Sequence, residues 1–192
     1  MKNTWRISPP QTFRTVFLDR DGVLNQKMPE GEYVRSRADF HILPGVREAI
    51  AQLNQQNKRV LVASNQRGIA LGLYTPGDLH AIHEEFQQQL ARADAHIDGF
   101  FVCPHDKNAC DCRKPKPGLF LQAQKRFPST TPATSVMIGD SLSDIEFAKN
   151  IGMKAIFLEG DTAHRKPGAE KADALADACC SSLAEAVDLL LD

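Results

Sequence analysis

Short runs rich in apolar residues alternate with amphipathic segments along most of the chain. The runs cover about residues 13–19, 59–63, 99–102, 135–138 and 154–158, and most of them end in polar residues or glycine. Strands of a parallel sheet have this composition, because helices bury both faces of the sheet. The five runs therefore predict five parallel β-strands.

The segments between the runs carry apolar residues at helical spacing. Helices are predicted over about residues 43–57, 75–90, 117–127 and 182–190. A further helix is predicted after the fourth apolar run and ends at about residue 150. Thr75 and Ser182 each precede an acidic residue at capping-box spacing, which marks two helix starts. This alternation predicts an α/β fold, with a parallel sheet of about five or six strands and helices on both faces.

Length and charge narrow the classes of function. The chain has 192 residues, 42% hydrophobic, enough for one domain over residues 1–192, with 1–12 as a loose lead-in. A formal net charge of -1 gives no electrostatic reason for binding nucleic acid or an anionic membrane. No apolar run approaches a membrane span, and no signal peptide is recognisable. We expect a cytoplasmic monomer that acts on a small molecule.

Four of the five predicted strands lead into chemically reactive groups, which are Asp19 and Asp21, Ser64 and Asn65, Cys103 and His105, and Asp140 and Asp144. In a doubly wound sheet, the carboxyl ends of the strands meet at one edge, where ligands bind. One polar strand end alone would indicate only a loop. Four ends with compatible chemistry indicate a phosphoryl-transfer site.

The carboxylates of that site suit nucleophilic catalysis. Asp19 is a candidate nucleophile for attack on phosphorus, and Asp21 a candidate general acid and base. Asp19, Asp21 and Asp140 supply the oxygen ligands that Mg²⁺ prefers. The interpretation without chemistry is an ordinary Asp-Gly turn after a strand.

Three further polar residues suit a phosphate. The hydroxyl of Ser64 can bind phosphate oxygens, and Lys114 offers a fixed positive charge. Arg113 offers a planar fork for a second phosphate. Each of the three also occurs as an ordinary turn or surface residue, so the prediction depends on their combination.

Residues 103–112 contain three cysteines and a histidine, namely Cys103, His105, Cys110 and Cys112. This is the ligand set of a closed, tetrahedral, structural Zn²⁺ site. The spacing differs from that of a nucleic-acid zinc finger. We expect zinc to shape the loop that ends in Arg113 and Lys114, and the alternative is a loop of free thiols.

Four motifs together resemble the haloacid dehalogenase superfamily of phosphatases. They are Asp19-Arg20-Asp21-Gly22, Ser64-Asn65-Gln66, Arg113-Lys114-Pro115 and Gly139-Asp140-Ser141-Leu142-Ser143-Asp144. With the zinc loop, the chain resembles the branch of heptose bisphosphate and histidinol-phosphate phosphatases. The resemblance implies a Rossmann-like sheet without a large cap domain, Mg²⁺ dependence and a phospho-aspartyl intermediate.

The resemblance also implies roles for individual residues. Asp19 is the nucleophile, Asp21 the general acid and base, and Asp140 the metal carboxylate, while the role of Asp144 stays open. Ser64 and Lys114 bind the transferring phosphoryl group, and Arg113 recognises the substrate.

The substrate is predicted from two shorter segments. Asn65-Gln66-Arg67-Gly68 and Gly31-Glu32-Tyr33-Val34 are similar to the heptose enzymes, which makes Asn65, Gln66 and Arg67 candidate substrate-binding residues. The favoured substrate is D-glycero-D-manno-heptose 1,7-bisphosphate, cleaved at its 7-phosphate. The short zinc loop favours the alternative, histidinol phosphate. A non-catalytic, zinc-stabilised binding module is the third hypothesis.

Overall fold

Six parallel strands form one sheet in the computed structural model, which describes residues 5–6, 13–29, 31–160 and 167–192. The strands are β1 (Thr15–Leu18), β2 (Arg59–Asn65), β3 (Gly99–Cys103), β4 (Ser135–Gly139), β5 (Lys154–Leu158) and β6 (Ala178–Cys180). Their order across the sheet is β3-β2-β1-β4-β5-β6, and every neighbouring pair is parallel. The predicted Rossmann-like α/β fold is confirmed.

The described residues form six α-helices, of which the first five connect successive strands and the sixth follows β6. They are α1 (Val46–Gln55), α2 (Pro76–Ala91), α3 (Gly118–Arg126), α4 (Leu142–Asn150), α5 (Ala169–Leu175) and α6 (Leu183–Leu191). The hydroxyl of Thr75 accepts a bond from the backbone of Asp78 and completes the predicted capping box of α2. Ser182 caps α6 by accepting from the backbone N–H of Glu185, whose own carboxylate accepts from the N–H of Ser181 instead.

The core lies in two layers, one on each face of the sheet. Successive residues of a strand point to opposite faces, so Val16 and Leu18 pack in one layer and Phe17 in the other. Helices α1, α2 and α6 contribute to the first layer, and α3, α4 and α5 to the second. The strands read as nearly continuous apolar runs because both of their faces are covered.

Helix α5 and strand β6 are absent from the sequence-based prediction. The helix has seven residues and the strand three. Segments this short offer too few positions for a hydrophobic pattern to be diagnostic, because helical periodicity is read over about 11–18 residues and strand alternation over about 4–8. Strand β6 forms because Ala178 pairs with Ile156 of β5 and extends the sheet by one strand.

The predicted lead-in at residues 1–12 is described only at Trp5 and Arg6. The ring nitrogen of Trp5 donates to the carbonyl of Leu189, and the backbone N–H of Arg6 donates to the carbonyl of Asp177. These two residues therefore contact α6 and the start of β6, while residues 1–4 and 7–12 lie outside the described part. In the described ranges the chain has no large cap domain, and none of the helices there is long and apolar enough to traverse a bilayer.

Candidate active site

The carboxyl ends of β1, β2 and β4 bring Asp19, Ser64 and Asp140 to one edge of the sheet. The backbone N–H of Asp19 donates to the carbonyl of Ile138 at 3.0 Å, which continues the pairing of β1 with β4 by one residue. This edge is where the strand order reverses direction, between β1 and β4, and doubly wound sheets bind ligands at that point.

Three carboxylates converge at this edge. Asp19, Asp140 and Asp144 each offer an oxygen, and the three oxygens lie within 4.8 Å of one another. All three side chains are buried. Oxygen ligands at this separation suit a small divalent cation such as Mg²⁺. The carboxylate of Asp21 lies outside this group, so the side-chain geometry gives no support to the predicted placement of Asp21 on the metal.

Two glycines make room for the converging carboxylates. A Cβ atom built on Gly22 would lie 2.3 Å from Oδ2 of Asp140, and Gly22 has a φ of +97°. A Cβ atom on Gly139 would lie 2.3 Å from Cβ of Asp144. Neither position therefore tolerates a side chain while the carboxylates keep their places.

The buried ammonium group of Lys114 neutralises part of this charge. Its Nζ lies 3.0 Å from Oδ1 of Asp19 and 2.5 Å from Oδ1 of Asp144, and it donates to the carbonyl of Ala63 at 2.6 Å. Burial lowers the pKa of Lys114, but the Asp144 and Asp19 carboxylates outweigh that effect and hold the pKa above its usual value. Lys114 is therefore charged at neutral pH.

A second ammonium group reaches the site from the segment after β1. Nζ of Lys27 lies 2.6 Å from Oδ2 of Asp140, and the Lys27 side chain is 19% exposed. Lys27 belongs to the segment between β1 and α1, and no feature of the local sequence marks it as a residue that reaches the site.

The carboxylate of Asp21 is held by three side chains. Arg20 donates to both of its oxygens through Nη2, at 2.8 and 3.0 Å, while Asn25 and Gln66 each donate at 3.0 Å. Burial raises the pKa of Asp21, but the charge and hydrogen bonds of Arg20, followed by those of Asn25 and Gln66, outweigh it and lower the pKa. Asp21 is a carboxylate at neutral pH in this arrangement.

The predicted substrate-binding residues at the end of β2 make hydrogen bonds to other protein groups. Both polar atoms of the Asn65 side-chain amide bond to the backbone of Lys114, with Oδ1 accepting at 3.0 Å and Nδ2 donating at 3.2 Å. Asn65 therefore fixes the segment that carries the buried lysine. Ser64 is buried, and its Oγ accepts from the amide of Gln66 at 2.8 Å.

The four predicted zinc ligands form a compact group. Sγ of Cys110 lies 3.5 Å from Sγ of Cys103 and 3.3 Å from Sγ of Cys112. Nδ1 of His105 lies 3.2 Å from Sγ of Cys112 and 3.8 Å from Sγ of Cys103. Four such ligands around one Zn²⁺ ion would be separated by roughly 3.5–3.8 Å. The donor set and its spacing fit zinc.

The zinc loop contacts the segment after β2. Backbone N–H groups of Gln66 and Ala70 donate to the carbonyls of Cys103 and Pro104. Nε of Arg67 lies 2.5 Å from Oδ1 of Asp106, so the predicted substrate-binding residue Arg67 also contacts this loop. Nη1 of Arg113 is buried and has no hydrogen-bond partner in the described part of the chain.

Sequence reasoning missed two residues of this edge and left the role of a third open. That third residue, Asp144, has capping-box spacing with Ser141 and does cap α4. Lys27 and the buried Tyr74, whose hydroxyl donates to Gln66, carry no local signal. Their positions depend on how the loops fold over the sheet edge.

Comparison with known proteins agrees with this geometry. The HAD-hydrolase-like family model matches residues 111–186. A D-glycero-alpha-D-manno-heptose-1,7-bisphosphate 7-phosphatase of Mycobacterium bovis is 42% identical over 171 residues, which cover 88% of this chain and 87% of the relative. The chain belongs to the haloacid dehalogenase-like phosphatases. The family predicted from the four motifs is confirmed.

A curated relative and a crystal structure from Bordetella bronchiseptica also match this chain. A D-glycero-beta-D-manno-heptose-1,7-bisphosphate 7-phosphatase is 37% identical over 72% of this chain and 76% of its own length. The crystal structure of a D,D-heptose 1,7-bisphosphate phosphatase from that organism, complexed with magnesium and phosphate, superposes with a TM-score of 0.81. The sequence of that structure is 32% identical to this chain, and the match covers 93% of this chain and 98% of the Bordetella chain. The predicted resemblance to heptose bisphosphate phosphatases is confirmed.

Proposed function

We propose that this chain is a Mg²⁺-dependent phosphatase that removes the 7-phosphate of D-glycero-D-manno-heptose 1,7-bisphosphate through a phospho-aspartyl intermediate. The observation that carries the proposal is the convergence of the Asp19, Asp140 and Asp144 carboxylates, two of which, Asp19 and Asp144, contact the buried ammonium of Lys114. The names of the relatives at 37–42% identity support the substrate.

Asp19 acts as the nucleophile in the first step. Lys114 holds Oδ1 of Asp19, so the side chain keeps one orientation and its other oxygen is available for attack on phosphorus. The bond from phosphorus to the C7 oxygen breaks as the bond to Asp19 forms. Asp21 supplies a proton to the departing oxygen, so its carboxylate must first take up a proton from solvent, on an oxygen that its present donors then release.

Asp21 acts as the general base in the second step. As a carboxylate it takes a proton from water, and the water oxygen attacks phosphorus of the phospho-aspartate. The bond from phosphorus to Asp19 then breaks, which releases inorganic phosphate and regenerates the carboxylate. The lowered pKa of Asp21 favours the form that this step requires.

Asp19, Asp140 and Asp144 would hold the Mg²⁺ ion. When bound, Mg²⁺ offsets the repulsion between the nucleophilic carboxylate and the phosphate dianion. The side chain of Asp21 is left out of this ligand set because its carboxylate lies outside the cluster of the other three and is held by Arg20, Asn25 and Gln66.

Substrate recognition falls to groups at the rim of the sheet edge. Ser64 and Lys114 bind the transferring phosphoryl group, and the planar guanidinium of Arg113 recognises the second phosphate. A Zn²⁺ ion held by Cys103, His105, Cys110 and Cys112 would fix the loop that presents Arg113. Because all four positions are protein ligands, this ion has a structural role.

The proposal is tested with a panel of phosphate esters. We expect the highest kcat/KM for heptose 1,7-bisphosphate, and for its α-anomer over its β-anomer, because the relative at 42% identity is named for the α-anomer. A preference for histidinol phosphate by more than about tenfold, or ~1.4 kcal/mol, would replace the heptose with that substrate. Gel filtration tests the accompanying proposal of a monomer, and cell fractionation tests the accompanying proposal of a cytoplasmic location.

Asp19→Asn is the control for chemistry. An amide cannot form the phospho-enzyme, so turnover should fall at least about 10³-fold while the fold is retained. Activity near that of the wild type would refute the mechanism. Absence of phosphate release from every ester by the metal-loaded wild type would instead favour the non-catalytic binding module.

A further inference from the structure

Tyr74 places a buried hydroxyl two hydrogen bonds away from Asp21. Its side chain is 6% exposed, and its hydroxyl donates to Oε1 of Gln66 at 2.6 Å. The amide nitrogen of the same glutamine donates to Oδ2 of Asp21 at 3.0 Å and to Oγ of Ser64 at 2.8 Å. Tyr74 itself has no part in the mechanism described above.

The three bonds of Gln66 define one orientation of its amide. An amide side chain carries donors on one end and an acceptor on the other, and the two ends can exchange by rotation. When Asp21 is a carboxylate, it accepts hydrogen bonds only, so it favours the orientation in which the amide nitrogen of Gln66 faces it. When Asp21 is protonated, its own O–H could donate to the oxygen of a rotated Gln66, and this preference is lost. The Tyr74 hydroxyl, by donating to Oε1, favours the observed orientation over the rotated one.

The backbone is built to admit the Tyr74 ring. A Cβ atom on Gly68 would lie 2.2 Å from Cε1 of Tyr74, so the ring lies directly against the glycine backbone. The N–H of Leu73 donates to the carbonyl of Gly68 at 2.9 Å and closes the loop between them. Burial raises the pKa of Tyr74 to about 12, so its hydroxyl remains a donor at any pH where a phosphatase works.

We propose that Tyr74 is a positioning residue for the general acid, acting through the amide of Gln66. With Gln66 fixed as a donor, a proton on Asp21 has no acceptor on Gln66 and remains available to the departing alkoxide of the substrate. The proposal deepens the proposed function and rests on Asp21 as the general acid.

The test uses two substrates that differ in their need for a proton. Heptose 1,7-bisphosphate releases a strongly basic alkoxide at C7, whereas p-nitrophenyl phosphate releases a stable phenolate. We expect Tyr74→Phe to lower kcat/KM for the heptose ester at least about tenfold, which is part of the 10²–10⁴-fold contribution of a general acid. For the aryl ester, kcat/KM should stay within about twofold of the wild type. A loss of folding or phosphate binding would lower both values alike.

Tyr33→Phe is the matched control. Tyr33 is the other of the two tyrosines, and its ring centroid lies 6.5 Å from that of Tyr74. The same hydroxyl deletion there should leave the ratio of the two kcat/KM values unchanged. A fall in the ratio as large as that of Tyr74→Phe would overturn the proposal.

A double-mutant cycle tests the path through Gln66. Gln66→Met keeps the length of the side chain and removes both ends of the amide, so it should lower the ratio at least as far as Tyr74→Phe does. Adding Tyr74→Phe to Gln66→Met should then change nothing further. Full additivity, or an unchanged ratio in Tyr74→Phe, would refute the proposal. If the wild type cleaved neither ester, or Asp19→Asn remained active, the proposed function itself would fail.

Discussion

A single methyl group at Gly22 tests whether Asp140 belongs to the metal site. Gly22 has a φ of +97°, and a Cβ atom there would lie 2.3 Å from Oδ2 of Asp140. Gly22→Ala therefore has two separable effects: it strains the backbone at a positive φ, and it displaces the carboxylate of Asp140. Only the displacement of the carboxylate is specific to this position.

The size of each perturbation follows from the geometry. A positive φ costs an L-residue about 1–2 kcal/mol. To reach ordinary van der Waals contact, the oxygen must retreat by about 1 Å. Mg²⁺ requires near-ideal octahedral geometry, and a displacement of that size in an active site can lower activity about 100-fold. We expect kcat/KM to fall about 100-fold and the half-saturating Mg²⁺ concentration to rise.

The assay pairs Mg²⁺ titration of phosphate release with urea unfolding. Gly152→Ala is the control, because Gly152 has a φ of +74°, no atom lies within 4 Å of its added Cβ, and it precedes β5 at the opposite edge of the sheet. Both variants should lose a similar free energy of unfolding. Only Gly22→Ala should change the Mg²⁺ dependence, and two indistinguishable Mg²⁺ curves would refute the reasoning.

Two further predictions concern zinc and pH. Cys110→Ser should abolish stoichiometric zinc, measured by elemental analysis, and lower Tm by about 5–10 °C, which corresponds to about 2–3 kcal/mol. Cys179→Ser, outside the zinc loop, should keep the zinc, and retention of zinc by Cys110→Ser would refute the ligand assignment. Burial lowers the pKa of His83, which stacks on Phe100, to about 3. In the unfolded chain the pKa of this histidine is about 6.5, so the unfolded state gains a proton before the folded state does. The free energy of unfolding should therefore fall by about 2 kcal/mol as the pH is lowered from 7 to 5. Urea unfolding of His83→Leu should not show this pH-dependent loss of stability. If the variant had the same pH dependence as the wild type, the prediction would be wrong.

The sheet could be predicted from the sequence because its signal is local. Each strand from β1 to β5 is long enough, and buried enough on both faces, to appear as an apolar run. The structure extends β2 to Asn65, two residues beyond the predicted end, because Ser64 and Asn65 pair with Val102 and Cys103. Such pairing is a tertiary effect that a strand's own composition does not record.

The sequence predicted which residues belong to the candidate site better than it predicted which of those residues contact one another. Residues two apart in an extended chain point the same way, which suggested that Asp19 and Asp21 share a cation. Strand β1 ends at Leu18, however, and Asp21 lies in the turn that follows. Its carboxylate meets Arg20 instead, and Asp144 joins Asp19 and Asp140.

The central position of β1 has a consequence for the growing chain. Thr15 pairs with Arg59 on one side and with Ser135 on the other. Ribosomes deliver strands in sequence order, so one edge of β1 lacks its partner until residues 135–138 have left the exit tunnel. Apolar strand edges that wait for a partner are where nascent chains adhere to one another. The yield of this protein in cells therefore depends on what shields that edge during translation.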